Sequence, residues 1–125
     1  MVAENYCVFE YLYRDAGNFK AHGALLLQGV LSDADIALLR GQLDGGEFFI
    51  AEQIGVPTLY QQLWDECDCE PSDEMDHVWH EFGEIRPAGA EDLTLLVCWG
   101  RADDFKSRLL GVRRWDELLS INWPA

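Results

Sequence analysis

The feature that most constrains the fold is a pair of apolar segments near the start of the chain, joined by a short polar stretch. Residues 6–14 are rich in aromatic and β-branched side chains, which is typical of a β-strand. Residues 15–18 are good turn formers, and residues 21–31 form a second segment of strand-like composition. Because strands joined by a short turn pair in opposite directions, the sequence predicts an antiparallel hairpin here.

The rest of the chain alternates between helix and strand signals. Helices are predicted at 33–43, 57–66 and 102–120, and further strands at 47–54, 77–86 and 93–99. Ser32 is a good N-cap for the first of these helices, and Asp33 and Asp35 favour its dipole. Pro57 suits the first turn of the second helix. We therefore predict a single α+β domain over residues 1–125, with an antiparallel sheet of about four to five strands and helices packed against it.

The composition indicates a folded chain in a reducing compartment. Of the 125 residues, 49% are hydrophobic and 12% aromatic, which is enough to build a core. The first 25 residues lack the pattern of a signal peptide, and no apolar run approaches the ~20 residues of a membrane helix. We therefore expect a cytoplasmic protein whose four cysteines are thiols. Cys7 and Cys98 lie in apolar surroundings and are predicted to be core residues.

The charge of the chain is concentrated in its middle third. The formal net charge is −14, and the stretch between Arg40 and Arg86 contains no lysine or arginine. Its twelve carboxylates are Asp44, Glu47, Glu52, Asp65, Glu66, Asp68, Glu70, Asp73, Glu74, Asp76, Glu81 and Glu84. Aromatic residues lie among them. Such a segment is not expected to bind nucleic acid directly, because it repels phosphate, and it attracts a basic protein surface by electrostatic steering. No membrane partner is expected.

The leading hypothesis is therefore a small acidic interaction protein that inhibits or caps a basic, nucleic-acid-binding partner. Spaced carboxylates on a folded domain imitate a run of backbone phosphates, as in a phage anti-defence inhibitor or an immunity protein of a nuclease toxin. The predicted contact residues are Trp64, Asp65, Glu66, Asp68, Glu70, Asp73, Glu74 and Asp76, with Trp64 as the anchor. This hypothesis predicts no enzymatic activity, no catalytic residues and no cofactor.

A zinc enzyme or zinc-stabilised domain is the first alternative. Cys67, Cys69, His77 and His80 are four residues of the right chemistry, although their spacing is not that of a familiar zinc finger. A helix over 77–84 would place both histidines on one polar face. A strand would point the two histidines to opposite faces. Gly83, and the end of the pattern at Arg86-Pro87, favour the strand. The favoured interpretation therefore has His80 partly buried in the sheet, His77 solvated and no metal bound.

Two weaker alternatives remain. An enzyme of this sequence would use Asp76, His77, His80 and Glu81 as its best catalytic candidates; a Cys98–His22 dyad has less support than core packing of Cys98. The second alternative is self-association into a homodimer through an edge strand or the tail at residues 121–123.

Overall fold

A computed structural model describes residues 2–68 and 77–116, and at its centre is a five-stranded sheet curled into a half-barrel. The elements in chain order are β1 (Val2–Arg14), β2 (Lys20–Gln28), α1 (Asp33–Gln42), β3 (Phe48–Ile50), α2 (Ala51–Ile54), α3 (Tyr60–Cys67), β4 (Trp79–Gly89), α4 (Ala90–Leu95), β5 (Cys98–Arg101) and α5 (Ala102–Leu110). The strand order is β3-β4-β1-β2-β5. The α+β class is confirmed. The antiparallel prediction is correct for every pairing named here except β2 with β5, which run parallel.

The hairpin and the first helix form where local signals predict them. β1 and β2 pair antiparallel from Tyr6 opposite Gln28 to Arg14 opposite Lys20. The α1 N-terminus has a complete capping box, in which the Ser32 hydroxyl accepts from the Asp35 N–H at 3.1 Å and the Asp35 carboxylate accepts from the Ser32 N–H at 3.1 Å. These contacts involve residues three positions apart, which is why the sequence alone predicts them.

The main core lies between one face of the sheet and the helices. Alternate residues of β1, among them Phe9, Tyr11 and Tyr13, point into it and are buried. The Phe9 ring stacks on Tyr11 at 4.9 Å and contacts Phe105 of α5 at 4.7 Å. The opposite face of the sheet carries a smaller cluster of Val8, Leu26 and Ala88, with Leu96 packed against it. Most of the buried apolar surface is therefore on the helix-covered face.

The predicted strand at 47–54 is wrong for its second half. Only Phe48–Ile50 is a strand, and the next four residues form α2. Ala51 and Ile54 lie three positions apart and are both fully buried. A helical turn places residues with this spacing on the same side, so both can face the core. Gly55 then ends the helix with a φ of 74°.

The predicted buried strand at 93–99 is also wrong in most of its length. The chain is helical to Leu95, because the Asp92 carboxylate accepts from the Gly89 N–H at 2.7 Å and so caps the start of α4. A strand begins only at Cys98. Leu95 and Val97 are each 76% exposed, so the apolar run is not buried, and Cys98 is exposed rather than in the core. Cys7 is buried as predicted.

The last two predicted helices differ from the observed ones at their ends. α3 begins at Tyr60, so Pro57 lies before it and not in its first turn. The Pro57 carbonyl instead accepts a hydrogen bond from the Tyr11 hydroxyl at 2.7 Å. α5 ends at Leu110, residues 111–116 are not helical, and residues 117–120 lie outside the described residues. None of the helices in the described ranges has the length and apolarity needed to cross a membrane.

Candidate functional site

α3 is held onto the sheet by its buried side and by hydrogen bonds to distant residues. Leu59, Tyr60 and Leu63 are buried. The Tyr60 hydroxyl donates to the Val78 carbonyl at 3.1 Å, and the Gln62 side-chain amide donates to the His22 carbonyl at 2.9 Å. These contacts fix the helix against β2 and against the residue just before β4, so the residues at its C-terminal end are presented from a rigid support.

His80 serves as the capping partner that α3 lacks in its own sequence. The His80 ring is fully buried, and its Nε2 atom accepts from the Leu59 N–H at 3.1 Å. The other ring nitrogen faces the Val78 carbonyl at 3.4 Å. Burial lowers the pKa of His80 to about 4, and hydrogen bonding to Val78 only partly opposes this shift. The imidazole is therefore neutral near pH 7, as its role of acceptor requires.

His77 is also bound through both ring nitrogens. Its Nε2–H donates to the Arg14 carbonyl at 2.7 Å, and its Nδ1 accepts from the Trp79 N–H at 3.0 Å. The ring is half-buried and contacts Tyr13 at 5.2 Å. The predicted strand is confirmed as β4, although it begins at Trp79 and continues past the predicted end at Arg86-Pro87 to Gly89. His77 is not the solvated residue that we expected, and His80 is fully rather than partly buried.

The zinc hypothesis gains no support from the described residues. His77 and His80 already use both ring nitrogens in contacts with backbone groups. Cys69 lies outside the described residues, and Cys67 is described only as the last residue of α3. Within residues 2–68 and 77–116, no three His, Cys, Asp or Glu side chains are arranged to hold a metal ion.

Three of the predicted contact carboxylates lie together at the C-terminal end of α3. Asp65, Glu66 and Asp68 are all exposed, and we call them the α3 carboxylates. The last turn of the helix contains no basic residue, and no ion pair of the described residues includes any of the three. Asp65 accepts only from the neutral Gln61 amide, at 2.9 Å. Because the C-terminal end of a helix is the negative end of its dipole, these charges destabilise α3.

The remaining predicted contact residues are either outside the described residues or partly buried. Glu70, Asp73, Glu74 and Asp76 lie outside the described residues. Trp64 is half-buried, packs against the core and stacks on Tyr60 with ring centroids 6.0 Å apart. Its ring is therefore partly a structural element of the core.

Other carboxylates of the stretch between Arg40 and Arg86 do not share a surface with the α3 carboxylates. Glu81, a catalytic candidate from the sequence, pairs with Arg14 at 2.9 Å. Glu52 lies beside the Tyr60 hydroxyl at 3.3 Å. Glu84 lies opposite Glu10 in the β1–β4 ladder, where both line an open cavity of about 420 Å³. The segment is thus divided among several surfaces.

A second feature of the site was not predicted from the sequence. Asp44, Phe48, His77 and Trp79 line a cavity of about 330 Å³, which we call the aromatic pocket. The turn after α1 forms one wall, because Asp44 and Phe48 exchange two backbone hydrogen bonds of 2.8 and 3.0 Å. Gly45 and Gly46, with φ values of 61° and 77°, allow so tight a turn. This glycine pair is the sequence signal for the turn, but after the predicted helix at 33–43 a glycine pair by itself indicates only where the helix ends.

Ring contacts connect the aromatic pocket to α3. Tyr13 contacts His77 at 5.2 Å and Tyr60 at 4.9 Å, and Tyr60 stacks on Trp64. Along the sequence, the α3 carboxylates and the pocket also flank residues 69–76, because Asp68 directly precedes these residues and His77 directly follows them.

The Cys98–His22 dyad does not form. Cys98 pairs with Leu26 in the sheet, four residues along β2 from His22, which corresponds to about 13 Å. Both residues are exposed. Cys98 instead lies at an edge of the sheet, next to the exposed apolar residues Leu95 and Val97.

Chemically, the site offers exposed negative charge on a rigid helix end and a half-exposed aromatic pocket with one carboxylate. Neither part contains a described nucleophile next to a general base. A scan of protein-family models and searches of curated proteins and of solved structures find no match to this chain.

Proposed function

We propose that this protein binds a basic, nucleic-acid-binding protein through the α3 carboxylates and prevents that partner from contacting nucleic acid. The observation that carries the proposal is the exposure of Asp65, Glu66 and Asp68 at a helix end where their charge costs stability. The chain's other helices follow the opposite order; α5, for example, has Asp103 and Asp104 in its first turn. A basic partner would supply the positive charge that the α3 end lacks.

The geometry supports a phosphate-mimicking surface rather than a general solubilising one. The support for the carboxylates is rigid, since α3 and its N-cap residue are packed through three buried side chains, and the helix is hydrogen-bonded to β2 and to the residue before β4. Unpaired charges on such a support need no rearrangement before binding, which lowers the entropic cost of association. An anti-defence inhibitor and an immunity protein of a nuclease toxin are two proteins of this kind. A cytoplasmic location belongs to this proposal, because a reducing compartment suits the free thiols of Cys7 and Cys98.

The experiment compares two triple variants with the same change in net charge. One removes the α3 carboxylates: Asp65→Asn, Glu66→Gln and Asp68→Asn. The control neutralises three exposed carboxylates elsewhere: Asp33→Asn, Glu84→Gln and Asp104→Asn. Each immobilised protein captures partners from a lysate of its source cells at about 50 mM salt, with release at about 500 mM salt.

We expect the wild type and the control to retain a basic protein that the α3 variant does not retain. The captured protein should also lose its complex with labelled duplex DNA when the wild type is added, but not when the α3 variant is added. Equal capture by both triple variants would contradict the proposal, because retention would then reflect net charge and not this surface.

Self-association is a second candidate, which one observation favours. β5 is an edge strand, and it follows exposed Leu95 and Val97 in a part of the chain where acidic and basic residues are nearly balanced. An exposed edge of this kind is a template for pairing with a second copy. Light scattering should then give the mass of a dimer for the wild type and of a monomer for Val97→Glu. A monomeric wild type would exclude this candidate.

A further inference from the structure

We infer that the aromatic pocket binds the guanidinium group of an arginine side chain from the basic partner. This inference rests on the proposed function and assigns it a specific point of recognition. The pocket combines two aromatic side chains, Phe48 and Trp79, with the carboxylate of Asp44. A planar cation that stacks on a ring and pairs with a carboxylate matches this combination, and guanidinium is such a group.

The size of the pocket suits one side chain. Its volume of about 330 Å³ is at the low end of ligand cavities, which extend from roughly 300 to 1,000 Å³. Phe48, His77 and Trp79 are each half-buried, so their rings form walls and still reach solvent. An arginine side chain from a second protein can therefore enter without opening the fold.

The charge at the pocket is not neutralised from within the described chain. Asp44 is exposed and takes part in no ion pair of the described residues, and the neighbouring Glu47 is exposed as well. Both ring nitrogens of His77 are engaged by backbone groups, namely the Trp79 N–H and the Arg14 carbonyl. The pocket therefore complements a cation and disfavours an anion or a neutral group.

The pocket walls are fixed before any ligand arrives. Two backbone hydrogen bonds between Asp44 and Phe48 hold one wall. On the other wall, Trp79 packs edge-on against Trp115 with ring centroids 6.4 Å apart, and the Trp115 indole N–H donates to the Gln42 carbonyl at 3.1 Å. A preformed site loses little entropy on binding.

The protein already uses this chemistry internally. The Arg40 guanidinium carbon lies 4.8 Å from the Phe82 ring centroid, and that of Arg108 lies 5.5 Å from the Trp99 ring centroid. Both distances are within the range of a cation–π interaction. In the aromatic pocket, Phe48 and Trp79 line a cavity that an arginine side chain from outside can enter.

The test uses purified full-length protein and three small probes: Nα-acetyl-arginine amide, the corresponding lysine amide and the citrulline amide. Citrulline has nearly the shape of arginine but no charge. The readout is the chemical shift of the Trp79 indole N–H during an NMR titration. We expect saturable shifts with the arginine probe in the millimolar range, weaker binding of the lysine probe and no saturable shift with citrulline.

Two variants make the test specific. Asp44→Asn should weaken binding of the arginine probe about tenfold, because it removes a charge-assisted hydrogen bond. Glu47→Gln, which makes the same charge change three residues away, should leave the affinity within about twofold of the wild type. Unchanged thermal unfolding of both variants confirms that the fold is retained.

The inference is overturned if citrulline binds as tightly as arginine, if lysine binds more tightly, or if Asp44→Asn has no effect. Its failure is distinguishable from failure of the proposed function. If Asp44→Asn captures the basic partner as well as the wild type while the α3 triple variant captures none, only the pocket inference fails. If the arginine probe binds but the wild type captures no basic partner, only the proposed function fails.

Discussion

α1 and α3 are short helices that contribute leucines to the same core, yet their ends are built in opposite ways. α1 has a capping box between Ser32 and Asp35, and Arg40 lies in its last turn. α3 has Leu59 at its N-cap position without a side-chain cap, has no acidic residue in its first turn and has no basic residue in its last. Local interactions therefore stabilise the ends of α1, whereas those of α3 gain nothing from them.

The missing stabilisation of α3 comes from tertiary contacts. The buried His80 ring accepts from the Leu59 N–H, and the Tyr60 hydroxyl reaches the Val78 carbonyl. No described basic residue pairs with the carboxylates at the C-terminal end, where Asp65, Glu66 and Asp68 are exposed. The comparison shows that α3 depends on the rest of the protein and carries charges that its folding does not require.

The largest difference between the helices should appear when their caps are removed. His80→Ala leaves a cavity and an unsatisfied Leu59 N–H, and we expect it to lower the free energy of unfolding by about 4 kcal/mol. Ser32→Ala should cost about 1 kcal/mol, because water can replace an exposed cap. Urea unfolding measures both values. Equal costs would show that α3 is no more dependent on tertiary contacts than α1.

The contribution of His80 to the free energy of unfolding should also appear in the pH dependence of stability. Its pKa is about 4 in the folded protein and 6.5 in the unfolded chain, so the unfolded chain binds more protons between these values. The free energy of unfolding should therefore fall by about 3 kcal/mol as the pH drops from 6.5 to 4. Salt-bridged Asp92, whose pKa is lowered to about 2 chiefly by its hydrogen bond to Arg86, acts only at lower pH.

His80→Gln is the control for this pH effect. The amide oxygen of glutamine can accept the Leu59 N–H, but the side chain does not titrate. Urea unfolding at a series of pH values should show a much smaller slope between pH 6.5 and 4 in this variant. An identical slope in both proteins would assign the effect to other groups.

The smallest predicted effect concerns the charges at the helix ends. Glu66→Lys should raise the free energy of unfolding by about 0.5 kcal/mol, because a cation suits the C-terminal end of α3. Asp33→Lys makes the same charge change at the N-terminal end of α1 and should lower it by about 0.5 kcal/mol. Thermal unfolding at low salt measures the difference. A change of the same sign in both would mean that net charge, not position, decides.

Glu66→Lys also separates folding from binding. If the proposed function is right, this variant gains stability and loses capture of the basic partner, whereas Asp33→Lys loses stability and keeps capture. Opposite signs for the two properties at one residue would identify Glu66 as functional, since a residue needed only for folding would change both together.

Sequence-based prediction succeeded where the interactions are local. The β1–β2 hairpin and α1 follow from residues within a few positions of one another. It failed at 47–54 and 93–99, because a short apolar run does not distinguish a strand from a buried helical turn or an exposed segment. Asp65, Glu66 and Asp68 were predicted as partner contacts from the charge of their segment; their exposure agrees with this, and their role in binding stays a prediction.

The sequence by itself determined the α+β class, the N-terminal hairpin, the capped α1 helix and the strong negative charge of the middle third. All of these depend on composition or on neighbours along the chain. Only the tertiary structure decided that His80 caps α3 and that Asp44 meets Phe48, His77 and Trp79 in one pocket. These residues are brought together by the pairing of β3 with β4 and by packing of α3 on the sheet, and no local pattern encodes contacts between such distant positions.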